Sequence, residues 1–541
     1  MNISKNKTNR FMPFIMAFCV VIGIIIGTFF SNHFSGNRLN VINSGSNRLN
    51  NLLHLIDDQY VDPVNIDSLV DKAIPQILAE LDPHSVYISA KDAAQATDDL
   101  KGSFSGVGVE FVIRQDTIHI QNVIQNGPAE KAGLLAGDKI VAVDGKPFVG
   151  KIVTNQEAMH RLKGPKDTKV KIGVIRYGSK KVQTFNVTRG EIPTKSVTAA
   201  YMLNDKTGYI RIKNFGENTY PEMLIALAKL SLQGFTILCI DLRDNSGGYL
   251  TAAVNMANEF LPDKKLIVYT QGRKSPRHNY TSDGKGAYQK IPMVVLINEG
   301  SASSAEIFAG AMQDNDRATI IGRRSFGKGL VQQQIEFPDH SLIRLTIARY
   351  YTPSGRCIQK PYKKGDRLDY AMDLDKRYKH GEFTNQDSIH LSDSLKYYTL
   401  RKHRVVYGGG GIMPDYFVPL DTTKYTKMHR QLAAKSIVIN HSLKFIDAHR
   451  KELKSQYKDF DKFLATYEVP SSLIEGIIAE GKKEKIEPKD EAELIQTKKY
   501  LALQLKALVA RDIWDMSQYF QVWNETNEIV QRAVQLLTTG K

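Results

Sequence analysis

Between residues 195 and 353, short apolar runs of strand length alternate with stretches of helical spacing, and no other feature constrains the fold of this chain as strongly. The runs 209–212, 235–241 and 293–298 are apolar at nearly consecutive positions, as strands covered on both faces must be. The stretches 220–232, 250–260 and 304–313 repeat their apolar residues at helical spacing. Such alternation predicts an α/β core with a largely buried sheet, and places the chemistry there.

At 541 residues the chain is too long for one domain, and the pattern changes several times along it. Residues 11–30 carry no charged side chain, and about 20 helical residues span a bilayer core of roughly 30 Å. Lys5, Lys7 and Arg10 precede that run, so the positive-inside rule puts residues 1–10 in the cytoplasm and everything after residue 30 outside it. A cleaved signal peptide is the competing reading, but residues 27–35 offer no small-x-small cleavage site. The expectation is a single-pass anchor, with the bulk of the chain extracytoplasmic.

A polar linker over 31–47 leads to a small helical region, 48–101, which contains the breaks Asp62-Pro63 and Asp82-Pro83. Over 102–190 the period becomes two, with Val107, Val109, Phe111 and Ile113 followed by Ile118 and Ile120, so strands dominate. The α/β core is assigned to 191–420. Residues 421–541, rich in Lys, Glu, Leu and Ala, are expected to form an appended helical domain with long helices at 426–451 and 491–537.

The net charge of +16 raises nucleic-acid binding, but the basic residues are spread along the chain rather than focused on one element. Cys19, Cys239 and Cys357 lack metal-ligand spacing, and neither a metal nor a cofactor is expected.

Gly106, Val107, Gly108 and Val109 stand where a strand opens, and glycines there let successive amides turn toward an anion such as a peptide carboxylate. A plain strand-opening turn uses the same residues. The ordered motifs Gly127-Pro-Ala-Glu-Lys-Ala-Gly-Leu134, Gly137-Asp-Lys-Ile140 and Val143-Asp-Gly-Lys146 resemble the PDZ domains of bacterial proteases. The resemblance implies capture of an extended apolar C-terminus by strand addition, with its carboxylate on the amides of 106–109.

Within the α/β core, Gly300-Ser-Ala-Ser-Ser-Ala-Glu306 joins a strand to a helix of small residues. Ser303 and Glu306 have capping-box spacing, which by itself calls for no chemistry. A serine at a helix N-terminus nevertheless sits beside unpaired amides that stabilise an oxyanion. No histidine signal accompanies it, which leaves a lysine as base, and Phe326-Gly-Lys-Gly329 sets Lys328 before an alternating stretch with Gln332. The segment Gly322 to Lys328 also fits the glycine and lysine positions of a phosphate-binding loop. Gly329 stands where that loop needs a hydroxyl, and a strand follows where it needs a helix.

Together with Tyr60-Val-Asp-Pro63, Leu81-Asp-Pro-His-Ser85, Asp241-Leu-Arg-Asp-Asn-Ser-Gly-Gly248 and Gly411-Ile-Met-Pro-Asp415, these segments resemble the C-terminal processing, or tail-specific, serine peptidases over residues 50–420. That resemblance implies a crotonase/ClpP-like α/β core, with Ser303 as nucleophile, Lys328 as base and Gln332 as its support. It also implies oxyanion donors from the amides of Ser304 and of Gly247 or Gly248. Spacing alone does not choose Ser303 over Ser301 or Ser304. Ser246 departs from the proline common at that position, and the family pattern says little about 421–541, where a solvated helical surface is the default reading and docking of an adaptor or a second copy the alternative. Two other readings keep the fold: a silent PDZ scaffold that binds protein C-termini at the membrane, and a CoA enzyme of crotonase type.

Overall fold

Along the central strands, alternate side chains meet two different sets of helices, and this parity organises the fold. The computed structural model describes residues 45–93, 102–114, 116–124, 126–135, 137–176 and 181–539, with positions 14, 16–18 and 20–23 near the N-terminus. The expected membrane segment 11–30 thus lies largely outside the described residues, among which no helix is long and apolar enough to cross a membrane. The chain divides into one unit ending at Leu78 and a second beginning at Ala79. The first holds the helix Gly45–Gln59, which begins inside the expected linker, and nearly all of the helix Ile66–Ala79.

In the second unit, the central sheet comprises β1 (Val197–Met202), β2 (Thr207–Ile212), β3 (Ile237–Asp241), β4 (Met293–Ile297), β5 (Thr319–Gly322) and β6 (Tyr416–Phe417), in that spatial order. β1 is antiparallel to β2, and each later pair is parallel. Helices α1 (Thr219–Leu232), α2 (Leu250–Phe260) and α3 (Ser304–Asp314) lie in the connections from β2 through β5. Parallel crossovers are almost always right-handed, so a sheet with its strands in chain order carries its crossover helices on one face. Ile210, Leu238, Ile240, Val295 and Ile320 accordingly pack with Met223, Leu227, Met256, Phe308 and Met312 of those helices.

The opposite face needs a cover from elsewhere in the chain. Tyr209, Cys239, Val294, Leu296 and Ile321 point there, because successive side chains on a strand alternate. They pack with Ile529, Val530 and Ala533 of α5 (Glu528–Thr539), while α4 (Met516–Asn524) lies against β1. The appended domain expected at 421–541 is therefore helical, but its last two helices complete the α/β core. The remaining helices, from Lys427–Ala434 to Glu491–Ile513, build two further cores, one around Leu432, Ile477 and Leu501 and the other, shared with Val522 of α4, around Phe463 and Trp514. Both long helices expected there are interrupted. Ser436 adopts φ +58° between Lys427–Ala434 and Ile437–Gln456, and Asp515 caps a new helix through Ser517 N–H after Ile513.

Residues 103–193 form the expected, mostly β module. Its 6-stranded sheet has the strand Val109–Arg114 at one edge, and the pair Ser103–Gly106 and Gly190–Pro193 closes its base. Ile118, Ile140, Phe148, Ile172 and Val187 fill its core. A further sheet supports the site: the hairpin Leu330–Glu336 and Leu342–Tyr351, with Val86–Ile88 and Leu266–Gln271 also paired to its second strand.

Candidate active site

The turn from β4 into α3 is tight because its residues are small. Ala302 and Ala305 are buried, and a Cβ on Gly300 would lie 3.1 Å from Asp244 Cα. Ser303 ends the turn at φ +56°, ψ −116°, a conformation that side-chain-bearing residues rarely adopt. The geometry separates the three serines of this segment. Ser301 Oγ donates to the carbonyl of Leu242 at 2.7 Å and Ser304 Oγ to that of Gly248 at 2.8 Å, and both residues are buried. Ser303 is the more exposed of the three and lines the cleft.

Glu306, one turn into α3, is fully buried and accepts four hydrogen bonds. Its carboxylate takes Ser303 N–H at 2.8 Å, Ser325 Oγ–H at 2.5 Å, Gly327 N–H at 2.7 Å and Lys328 N–H at 2.9 Å. The capping-box glutamate therefore ties the serine turn to the lysine loop. Burial pushes its pKa up, against these donors, which favour the charged form. Tyr350, also buried, adds a second tie by donating its hydroxyl to the carbonyls of Ser303, at 3.1 Å, and Lys328. From the far side, Arg377 donates to the carbonyls of Ser325 and Arg324 at 3.0 and 2.9 Å, and Lys360 stacks on the Phe326 ring.

Lys328 precedes the strand Leu330–Glu336 rather than lying in it, and the register shifts between Val331 and Gln332. Its Nζ still donates to Gln332 Oε1 at 3.4 Å. Burial lowers the Lys328 pKa, and the positive charge of Arg344 lowers it further, with Glu306 and Asp82 pulling the other way. Gln332 is oriented in turn, because its Nε2 donates to the carbonyl of His84. The turn that carries His84 is held by the Asp82 carboxylate, which accepts His84 N–H, Ser85 N–H and Thr346 Oγ–H. Burial, reinforced by Lys328, brings the His84 pKa down to about 4. Residues 82–85 read in sequence as a helix-ending turn within a family motif, and their contact with Gln332 was not anticipated.

The glycine pair closes the site. Gly247 sits at φ +98°, where a Cβ would fall 2.6 Å from Ser303 Cβ. Its N–H is donated to Asn245 Oδ1 at 2.8 Å. Gly248 sits at φ +148°, and a Cβ there would meet the carbonyl oxygen of Phe215 at 2.1 Å. Among the described residues, no acceptor takes the amides of Gly248 or Ser304. Ser303, Ser304, Lys328, Gln332, Gly247 and Gly248 all line one cleft of about 590 Å³.

Gly106, Val107, Gly108 and Val109 lie apart from that cleft, in the β module. The carbonyls of Val107 and Gly108 accept Ala129 N–H at 2.8 Å and Ile124 N–H at 3.0 Å. In a trans peptide the N–H opposes the preceding C=O, so the amides of Gly108 and Val109 point away from those partners, beside the edge strand Val109–Arg114.

Comparison with known proteins agrees with this architecture. The profile of peptidase family S41 matches residues 206–367, that of the PDZ domain residues 105–188, and that of a family of unknown function residues 428–515. A carboxy-terminal-processing protease of Bartonella bacilliformis is 38% identical over 320 residues, 58% of this chain and 72% of the relative. A carboxyl-terminal-processing protease of Synechocystis is 38% identical over 296 residues, 53% of this chain and 68% of that one. Among solved structures, the photosystem II D1 C-terminal processing protease matches 56% of this chain and 87% of its own, at 30% identity and a TM-score of 0.33. The chain belongs to peptidase family S41 and is a C-terminal processing serine protease with a PDZ domain.

Proposed function

We propose that this protease is anchored by residues 11–30 and faces the periplasm, takes proteins by a free apolar C-terminus on its PDZ domain, and cuts them with a serine–lysine pair. The observation that carries the catalytic reading is a partly buried lysine of lowered pKa in the cleft that also holds a strained serine at a helix N-terminus. Neutral Lys328 takes the Ser303 Oγ proton as that oxygen attacks the substrate carbonyl carbon. It then hands the proton to the leaving amine, which departs as the acyl-enzyme forms. A water molecule attacks the ester, Lys328 taking its proton and returning it to Ser303. Gln332 holds the lysine Nζ. The Ser304 and Gly248 amides receive the oxyanion, since the Gly247 amide is already bound to Asn245. The uncharged run 11–30 behind Lys5, Lys7 and Arg10 supports the anchor and its orientation.

The PDZ reading is tested with a reporter protein ending in an apolar tail, as the free acid and as the C-terminal amide. The free acid is expected to be cleaved at least about tenfold faster, because the outward amides of Gly108 and Val109 favour an anion. Equal rates would remove these amides as the carboxylate site. Alkaline phosphatase fused after residue 47 is expected to be active in cells, and an inactive fusion would overturn the orientation.

A further inference from the structure

The helices beyond residue 515 do more than cover the sheet. The carboxyl end of β3 runs directly into the loop that carries Gly247 and Gly248, and a buried ionic cluster stands at that junction. Asp241, fully buried, accepts Tyr209 OH at 2.5 Å, Arg211 Nη1 at 2.9 Å, and Arg243 through its backbone N at 2.9 Å and its Nη2 at 2.7 Å. The guanidinium of Arg243 faces the C-terminal helices. Its Nη1 donates to Asn527 Oδ1 at 2.5 Å and its Nη2 to Asn524 Oδ1 at 3.2 Å. Asn524 Nδ2 in turn donates to Tyr201 OH at 2.8 Å. A second tie runs alongside, with Arg211 over the Phe520 ring at 4.5 Å.

The loop continues from Arg243 to the site through short, specific contacts. Asp244 N–H donates to Asn298 Oδ1 at 2.8 Å, and Asn245 accepts Ala302 N–H on its carbonyl at 2.8 Å. The Asn245 side chain bridges the Ile212 carbonyl, at 2.9 Å, and Gly247 N–H. The peptide that presents the Gly248 amide is thus set at one end by the serine turn and at the other by Arg243. Arg243 Nε and Nη2 also donate to the Asp241 carboxylate, at 2.9 and 2.7 Å, so losing Asn527 orphans the buried Nη1 alone. That N–H then carries a desolvation penalty, which shifts the guanidinium on Asp241. We propose that Asn524 and Asn527 are positioning residues for the oxyanion site, acting through Arg243 on the loop 244–248. This rests on the reading of the Gly248 and Ser304 amides as the oxyanion donors. Asn524 and Asn527 thereby couple the end of the chain to the oxyanion loop, while the rest of α4 and α5 serves as cover for the sheet.

Asn527 lends itself to a test because it has two separable roles. Its Oδ1 also accepts Ile529 and Val530 N–H at 3.2 Å each, as the cap of α5. Asn527→Ser keeps a capping oxygen but is too short to reach Arg243, whereas Asn527→Asp keeps both. Val530→Ala serves as a packing control that leaves Arg243 alone. The four full-length proteins, parent and variants, are compared for kcat, KM and affinity for a peptide boronic acid, which forms a tetrahedral adduct with the serine. Losing one oxyanion donor costs about 10²–10³ in rate, so misplacing one is expected to cost about tenfold. Asn527→Ser should lose about tenfold in kcat and in boronate affinity with KM within twofold, while Asn527→Asp and Val530→Ala stay near the parent. The proposal is overturned if Asn527→Ser keeps its kcat, if Asn527→Asp falls with it, or if Val530→Ala loses as much. Ser303→Ala runs beside them: activity in that variant would remove the underlying reading, a failure distinct from any of these.

Discussion

Replacing Glu306 by glutamine keeps the shape of the side chain and removes one acceptor, so its cost follows from the four donors around it. One oxygen takes Ser303 N–H and Lys328 N–H, and the other takes Ser325 Oγ–H and Gly327 N–H. The glutamine does best with its NH₂ toward Ser325, whose hydroxyl can rotate, which leaves the Gly327 N–H without an acceptor. An orphaned buried donor costs about 1–3 kcal/mol, and the remaining bonds lose the roughly twofold advantage of a charged acceptor. The sum is about 3–5 kcal/mol. At roughly 2–4 °C per kcal/mol for a core of this size, Glu306→Gln is expected to lower the melting temperature by about 6–20 °C. A second signature is independent of the first. The Glu306 charge raises the Lys328 pKa, so its removal moves the rising limb of kcat/KM against pH to lower pH. Differential scanning fluorimetry and a pH–rate profile on any residual activity read the two effects. A variant that melts within 2 °C of the parent with an unmoved profile would refute the view of Glu306 as the tie between serine and lysine.

Other consequences follow from the same contacts. On the proposed mechanism Lys328 must be neutral to serve as the base, and its pKa is lowered, so kcat/KM should rise with pH and level off below the usual lysine range. Arg344→Gln, which removes a like charge, should move that limb to higher pH, and an unmoved limb would detach it from Lys328. Gly247→Ala would set a Cβ against Ser303 Cβ at positive φ, and is expected to cut kcat/KM by about 100-fold or more with the protein still folded. Near-parental rates, with folding checked by circular dichroism, would contradict that packing. Ending the chain at residue 527 removes Ile529, Val530 and Ala533 and bares Tyr209, Val294, Leu296 and Ile321. Losing two large buried side chains alone costs about 3–6 kcal/mol, so the truncated protein should bind a hydrophobic dye and be digested faster by trypsin. Unchanged digestion would show that α5 is dispensable to the core.

What sequence could reveal here follows the range of the interactions. The three central strands and the three crossover helices of the core were legible because each is marked by its own local apolar spacing, and the ends of α2 agree with that reading residue for residue, whereas β1, β5 and β6 were not anticipated. Apolar residues on both parities of the runs, such as Leu238 and Ile240 against Cys239, announced a sheet covered twice, but nothing local said that the second cover begins at residue 516. The interruptions at Ser436 and Trp514 were invisible because neither carries glycine or proline, so helical periodicity runs through them. Glu306 was found as a capping partner, while its grip on Gly327 and Lys328 depends on a contact more than 20 residues away that only folding creates. Spacing did not choose Ser303 over Ser301 and Ser304, and only the family resemblance did, whereas the choice of Gly248 over Gly247 waited on where the amides point.

The central claim is that Ser303 is the nucleophile and Lys328 its base. The most direct test incubates the full-length protein, Ser303→Ala and Lys328→Ala with a protein substrate bearing a free apolar C-terminus, and identifies the fragments by mass spectrometry. The account predicts defined fragments from the parent and none above background from either variant, with all three proteins melting within a few degrees of one another. Cleavage at the same bonds by either folded variant would contradict it.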